Sequence, residues 1–395
     1  MNRKIVLVSK DAMCKSYLPI YGNRIWSTPN IDTLSKLGTV FHRHYTAAPS
    51  TSMAFISMFT GLYPYQTKYK LYNPMGITDY PNLFEQLNIS GYTCHVIWGK
   101  DWLQGDTAMT EGYGEKTIFH LVDHFEQAVG AHFPHRETLI HDINKTEKVT
   151  VDLKRILDEV CCKDEKTFLW VHFPHVIYGH TSYGDDIETF DNCIGIIRDY
   201  FPDEGIYVTA DHGNMNGQKG KFCYGFDCYE SAICIPLITP RINDKPECHD
   251  LTSNIDLISL ILNYEIPNHE YVVADCAYYA QPQRNIALIS DRYKYIYFKR
   301  HSKEELYDIL YDPFEQCNII QERHFDSDRI VLHPLKDIYY YPYWEEALTW
   351  RTKLRNERAM LWRRGSACEE LFGNCKYYLK KARSYYYVVR NMFEQ

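Results

Sequence analysis

The 395-residue sequence has no CxxC pair, no basic excess, no internal repeat and no apolar run near the roughly 18 residues of a membrane span. Without CxxC spacing, a zinc ribbon or finger is excluded as the organising element. The 13 cysteines are odd in number and scattered, with Cys161 and Cys162 adjacent, which does not describe a disulfide framework. A reducing, cytoplasmic location is therefore expected. The amino-terminal apolar run, Ile5–Val8, is too short for a signal-peptide core. A formal net charge of −8 argues against a generic nucleic-acid binder. What is present is ordinary for a folded chain: 45% apolar and 24% charged residues. Aromatic residues reach 15%, with 34 tyrosines.

Periodicity predicts alternating strands and helices. Ile5–Val8, Thr93–Trp98, Thr167–His172 and Ile206–Thr209 read as buried strands. Pro29–Leu37, with Thr28 as N-cap and Gly38 beyond its end, reads as a helix, as do Lys148–Val160, Ile187–Phe201 and Ile255–Leu262. This alternation implies an α/β fold with a mostly parallel sheet between helices. The texture then changes. Ile286–Ser290 and Tyr293–Phe298 read as an antiparallel hairpin. Residues 331–395 hold 12 Lys and Arg against 7 Asp and Glu, a net of +5, which leaves −13 on the rest. Three parts are expected: a catalytic α/β domain over 1–280, a small antiparallel carboxyl-terminal subdomain over 281–330, and a basic aromatic helical tail over 331–395.

Open α/β sheets bind ligands at the carboxyl ends of their strands. Asp11 follows the first predicted strand, His172, His175 and His180 end or follow the third, and Asp211 and His212 follow the fourth. Carboxylate oxygen and imidazole nitrogen together suit a divalent metal. Taken singly, an Asp after a strand equally fits a turn or a cap. After Pro49 and Ser50 an apolar helix runs to Thr60, which places Thr51 at a helix N-terminus, where an anion is favoured. A plain N-cap fits Thr51 equally.

Several segments, in order, resemble the alkaline phosphatase and sulfatase superfamily, and its sulfatase branch most. They are Thr28-Pro29-Asn30-Ile31-Asp32-Thr33-Leu34, Thr60-Gly61-Leu62-Tyr63-Pro64, Tyr92 through Gly99-Lys100, Thr209-Ala210-Asp211-His212-Gly213, and Glu305-Leu306-Tyr307-Asp308 with Asp312-Pro313-Phe314-Glu315-Gln316. The resemblance aligns Thr51 with the Cys or Ser that sulfatases convert to formylglycine, and Phe55 with the arginine of that signature. Trp102 stands where a histidine is expected, Ala12 where a second acid is usual, and Asn214 where a ligand or contact often lies. These departures fit the superfamily's phosphoethanolamine and phosphoglycerol transferases, which Ser50-Thr51-Ser52 with Met58-Phe59 resembles.

The resemblance implies a metal-dependent phosphoester hydrolase or phosphotransferase with Thr51 as nucleophile. It implies one divalent ion held by Asp11, Thr51, Asp211 and His212, manganese or zinc first, with calcium or magnesium as alternatives. Lys100 is expected on a substrate oxygen. His180, then His172, then His175 are the candidates for protonating the leaving group, and His175, Lys219 and Lys221 are further candidates for substrate contact. The expected partner is an anionic ester on a saccharide or a lipid-linked glycan. A sulfuric ester hydrolase and a catalytically silent binding protein are the alternatives. In the tail, Trp350, Arg351, Arg355, Arg358, Trp362, Arg363 and Arg364 recur at helix-like spacing. Glycan or lipid binding, packing across the acidic body, or joining two copies into a homo-oligomer all fit that pattern.

Overall fold

The run Ile5–Val8 forms the middle of strand β1 (Lys4–Lys10) of a computed structural model that describes residues 3–67, 80–99, 112–122, 143–162, 165–173, 185–225, 227–276, 285–320, 330–332, 338–341 and 343–361. Side chains alternate across a strand. Ile5 and Leu7 therefore join one buried cluster, while Val6 and Val8 join another on the opposite face. A strand apolar on both faces belongs inside a sheet covered on both sides, and β1 lies near the middle of one.

That sheet has eight strands among the described residues. Beside β1 they are β2 (Thr39–Phe41), β3 (Thr93–Gly99), β4 (Thr117–Val122), β5 (Thr167–Phe173), β6 (Ile206–Ala210), β7 (Leu237–Thr239) and β8 (Glu247–Cys248). Their order is β8-β2-β7-β6-β1-β5-β3-β4. Every neighbouring pair is parallel except the two made by β7, which runs antiparallel to both β2 and β6.

Helices α1 (Pro29–Leu37), α4 (Ile143–Cys161) and α5 (Asp185–Arg198) cover the Val6 face, and α2 (Thr51–Thr60), α3 (Leu83–Ile89) and α7 (Leu257–Leu262) cover the other. The α1 entry is built differently from the sequence expectation. Thr28 occupies the cap position, but its hydroxyl bonds Asp32 Oδ1. The helix's open amides at Asn30 and Ile31 donate instead to Asp191, on α5.

The predicted hairpin widens into a four-stranded antiparallel sheet of β9 (Tyr271–Asp275), β10 (Asn285–Ser290), β11 (Tyr293–Phe298) and β12 (Lys303–Asp308). It begins at Tyr271, before residue 281. The short helix α6 (Glu230–Ile233) reaches it through the ion pair between Glu230 and Lys294.

At the start of the tail, a short antiparallel strand pair at Ile330–Leu332 and Ile338–Tyr340 precedes α8 (Trp344–Leu361), whose buried Trp344, Ala347 and Leu354 pack on this second sheet. Its charges meet the same chain. Arg351 and Arg355 reach Glu304 at 3.0 and 2.9 Å, Glu357 accepts from Tyr271 at 2.9 Å, and Arg358 lies over the Tyr297 ring. Residues 344–361 are thus docked across the chain's own body. No described helix is long and apolar enough to cross a membrane.

Candidate active site

Strands β1 and β6 are neighbours, so the residues that follow them emerge side by side. Asp11 N continues the ladder by donating to Phe173 O at 2.9 Å. The chain then turns at Ala12, whose φ of 56° is left-handed, and the Ala12 amide donates to Asp211 Oδ1 at 3.0 Å. The His212 amide donates to the same oxygen at 2.7 Å. Cys14 fastens the two loops: its Sγ lies 3.2 Å from Asn214 N and 3.1 Å from Asn214 O.

Gly213 is required by a close approach. Its amide bonds Ala232 O, and a Cβ there would overlap the Ser231 carbonyl oxygen. This places α6 directly against the Asp-His turn.

Helix α2 supplies the third side of the site. It begins at Thr51, with Ser50 as an extended N-cap, and ends at Gly61, whose φ of 68° closes it. Nine of its residues are buried, so the helix is fixed in the core. Thr51 Oγ1 lies 3.1 Å from His212 Nε2. The same nitrogen is 3.6 Å from Asp11 Oδ1 and 3.4 Å from Asp211 Oδ2. One ligand atom from each of Asp11, Asp211 and His212 lies within 4.8 Å of the others, and all three residues are buried. The structure therefore brings together the four residues named as a metal and nucleophile set.

The donor chemistry fits a divalent cation. His212 Nδ1 donates to Gly213 O at 2.8 Å, which leaves the Nε2 lone pair facing the two carboxylates. Asp211 Oδ2 is buried and has no hydrogen-bond partner among the described residues. Burial pushes the Asp211 carboxyl up to about 7, against the opposing bonds that its Oδ1 accepts from the Ala12 and His212 amides. Two buried carboxylates beside an imidazole lone pair are stabilised by positive charge between them.

His172 stands on β5, paired in register with Ser9 of β1. Ser9 Oγ accepts from Trp170 Nε1 at 2.9 Å and pairs with His172 Nδ1 at 2.9 Å. Burial, then Lys10 and His212, hold this imidazole well below its usual range, so it is neutral. That state suits accepting a proton better than donating one. Phe55 lies edge-on to His172, Trp170 and Trp98 at 4.6, 4.8 and 5.8 Å, an apolar packing role where the sulfatase signature has arginine.

Lys219 and Lys221 are engaged elsewhere. Lys219 Nζ donates to Glu315 O and lies over the Tyr307 ring, and Lys221 pairs with Asp227 at 2.5 Å. Lys100, His175 and His180 lie outside the described residues. Ser9, Cys14 and Tyr224, whose ring centroid is 4.4 Å from that of His212, were not singled out from sequence. Their roles depend on pairing between distant segments, which has no local signal.

Residues 3–264 match the Sulfatase family. The chain is 20% identical to the uncharacterized sulfatase YidJ of Escherichia coli K12, covering 83% of this chain and 85% of that one. Its fold is similar to that of a 2-O GAG sulfatase, with a TM-score of 0.67 and 14% identity over 90% of this chain and 92% of the other. It is also similar to the phosphonate monoester hydrolase of Agrobacterium radiobacter, with a TM-score of 0.64 and 17% identity over 91% and 96% of the two chains. The chain belongs to the sulfatase family and is a hydrolase of the alkaline phosphatase and sulfatase superfamily.

Proposed function

We propose that the protein cleaves or transfers a phosphate ester through Thr51. The observation that carries this reading is the Thr51 hydroxyl at the α2 N-terminus, 3.1 Å from His212 Nε2 and beside the buried Asp11 and Asp211. A threonine has no route to formylglycine, and Phe55 removes the signature's cation, which favours phosphoryl over sulfuryl chemistry. Asp11, Asp211 and His212 would hold one divalent ion, with Thr51 beside it. When bound, that ion supplies positive charge that eases loss of the hydroxyl proton and polarises an ester oxygen.

The chain's own part follows from the geometry. Helix α2 fixes the Thr51 oxygen and directs its first amides toward the incoming anion. The Thr51 hydroxyl gives up its proton to solvent as its oxygen bonds phosphorus and the bond from phosphorus to the opposite ester oxygen breaks, and His180 or His175 in its protonated form gives that leaving oxygen a proton. The same histidine, now neutral, takes a proton from water or a sugar hydroxyl as that oxygen attacks phosphorus, the bond from phosphorus to Thr51 breaks, and the Thr51 oxygen regains a proton from solvent. Lys100 is proposed to steady a nonbridging oxygen. A saccharide-borne ester is proposed because one structural relative is named as a 2-O GAG sulfatase. Action in the cytoplasm is proposed from the free thiols, among them Cys228 and Cys276 with sulfurs 3.9 Å apart.

The test is turnover of phosphodiester, phosphomonoester, phosphonate and sulfate model esters by the wild type, Thr51→Ala and Asp211→Asn. Phosphoryl turnover should fall on the order of 10³-fold or more in both variants while the circular dichroism spectrum is kept. Acid-quenched wild type should carry a phosphoryl group on the Thr51 peptide by mass spectrometry. Turnover of sulfate esters alone, or activity retained by Thr51→Ala, would overturn the reading.

A further inference from the structure

A second cluster of ligand side chains lies on the same carboxyl edge of the main sheet. His42 directly follows β2, and Glu247 and His249 flank Cys248 on β8. The two strands pair in parallel, with Cys248 opposite Phe41, and His42 N donates to Cys248 O at 2.9 Å. The pairing makes His42 and His249 leave adjacent strands together. Their rings stack, with centroids 4.5 Å apart and planes 9° apart. Both rings turn Nε2 toward one carboxylate oxygen: Glu247 Oε2 is 3.3 Å from His249 Nε2 and 3.9 Å from His42 Nε2. One ligand atom from each residue lies within 4.8 Å of the others.

A hydrogen bond alone would need only one of these histidines. His42 Nε2 is nevertheless buried with no hydrogen-bond partner among the described residues. Lys15 Nζ donates to the His42 carbonyl oxygen at 2.5 Å. Glu247 and His249 are well exposed, at 60% and 68%, so their side chains can close by tenths of an ångström without disturbing the core. Zinc bonds of about 2.0–2.2 Å at a tetrahedral angle put neighbouring ligand atoms roughly 3.3–3.6 Å apart, and the Glu247 Oε2 distances of 3.3 and 3.9 Å lie at or near that spacing.

We propose that His42, Glu247 and His249 form a binding site for a divalent transition ion of the zinc class, separate from Asp11, Asp211 and His212. Two imidazoles and one carboxylate suit zinc, nickel or copper over calcium or magnesium. The strand order puts β2 two places from β6, about 10 Å across the sheet. The ion would clamp the two-residue edge strand β8 to β2, joining segments far apart in sequence. No chemistry on substrate is assigned to it.

The experiment is zinc stoichiometry of the full chain, stripped of metal and titrated with zinc chloride by calorimetry. Wild type, His249→Ala, Glu247→Gln, Asp211→Asn and the Asp211→Asn/His249→Ala double variant would be compared. His249→Ala and Glu247→Gln should each bind one zinc fewer than wild type, with unchanged circular dichroism and basal turnover. Asp211→Asn should keep one saturable site, which the double variant loses. Cobalt added to Asp211→Asn should give a visible ligand-field band that His249→Ala abolishes. Unchanged stoichiometry in both His249→Ala and Glu247→Gln, or no saturable binding by Asp211→Asn, would overturn the proposal.

Discussion

Replacing Lys294 with methionine should destabilise the protein by about 3–5 kcal/mol, the usual range for stranding a buried charge. Lys294 sits on β11 with its side chain fully buried, and its ammonium lies 2.7 Å from Glu315 Oε1 and 3.1 Å from Glu230 Oε2. Glu230 also accepts from Tyr45 OH at 2.9 Å, and Glu315 accepts from the Glu230 amide at 2.8 Å. One cation thus ties together β11, the turn that carries Glu315, and α6, which packs on the Asp211-His212 turn. Burial holds the Glu315 carboxyl above its usual range even with Lys294 beside it, so removing the ammonium raises it further. The measurement is urea unfolding of the full chain followed by tryptophan fluorescence. Lys294→Met/Glu315→Met should recover most of the loss, giving a coupling on the order of 2 kcal/mol or more. The penalty of Lys294→Met alone should shrink as pH falls and Glu315 takes up a proton. A cost below about 1 kcal/mol, or a double variant no more stable than the single one, would refute the reasoning.

Gly213→Ala should lower both melting temperature and turnover, because the added Cβ meets the Ser231 carbonyl and must displace either α6 or the Asp211-His212 turn. A variant as active and stable as wild type would show that the close approach is unimportant. The His269–Asp256 pair should make stability depend on pH. Its hydrogen bond to Asp256, 2.9 Å long, raises the His269 pKa above 6.5. The folded state therefore holds a proton that the unfolded chain has given up. That stabilisation is fully present below about pH 6.5 and is lost as pH rises through the folded value. His269→Gln should flatten this part of the profile, and a slope unchanged in denaturant midpoints across the same range would contradict the assignment.

Features that repeat locally are legible in the amino-acid order alone. The apolar run of β1, the strands read as ending at His172 and Thr209, each within a residue of their structural ends, and the helix opening at Thr51 follow from periodicity and end signals that short segments carry alone. The order of the motifs pointed to the superfamily, because each motif is a contiguous string. Tertiary structure decided which of those pieces meet. Only the neighbouring placement of β1 and β6, with α2 seated across them, puts Thr51 against His212 and Asp211. It decided that Asp191 rather than Thr28 satisfies the α1 amides, and that Lys219 and Lys221 spend their charge on Glu315 and Asp227. The strands β2, β7 and β8 are two or three residues long, too short for a period to register, and are held by their neighbours' hydrogen bonds. Local pattern reflects the energy of a segment against solvent, whereas a site is set by distances between segments that have no pattern in common.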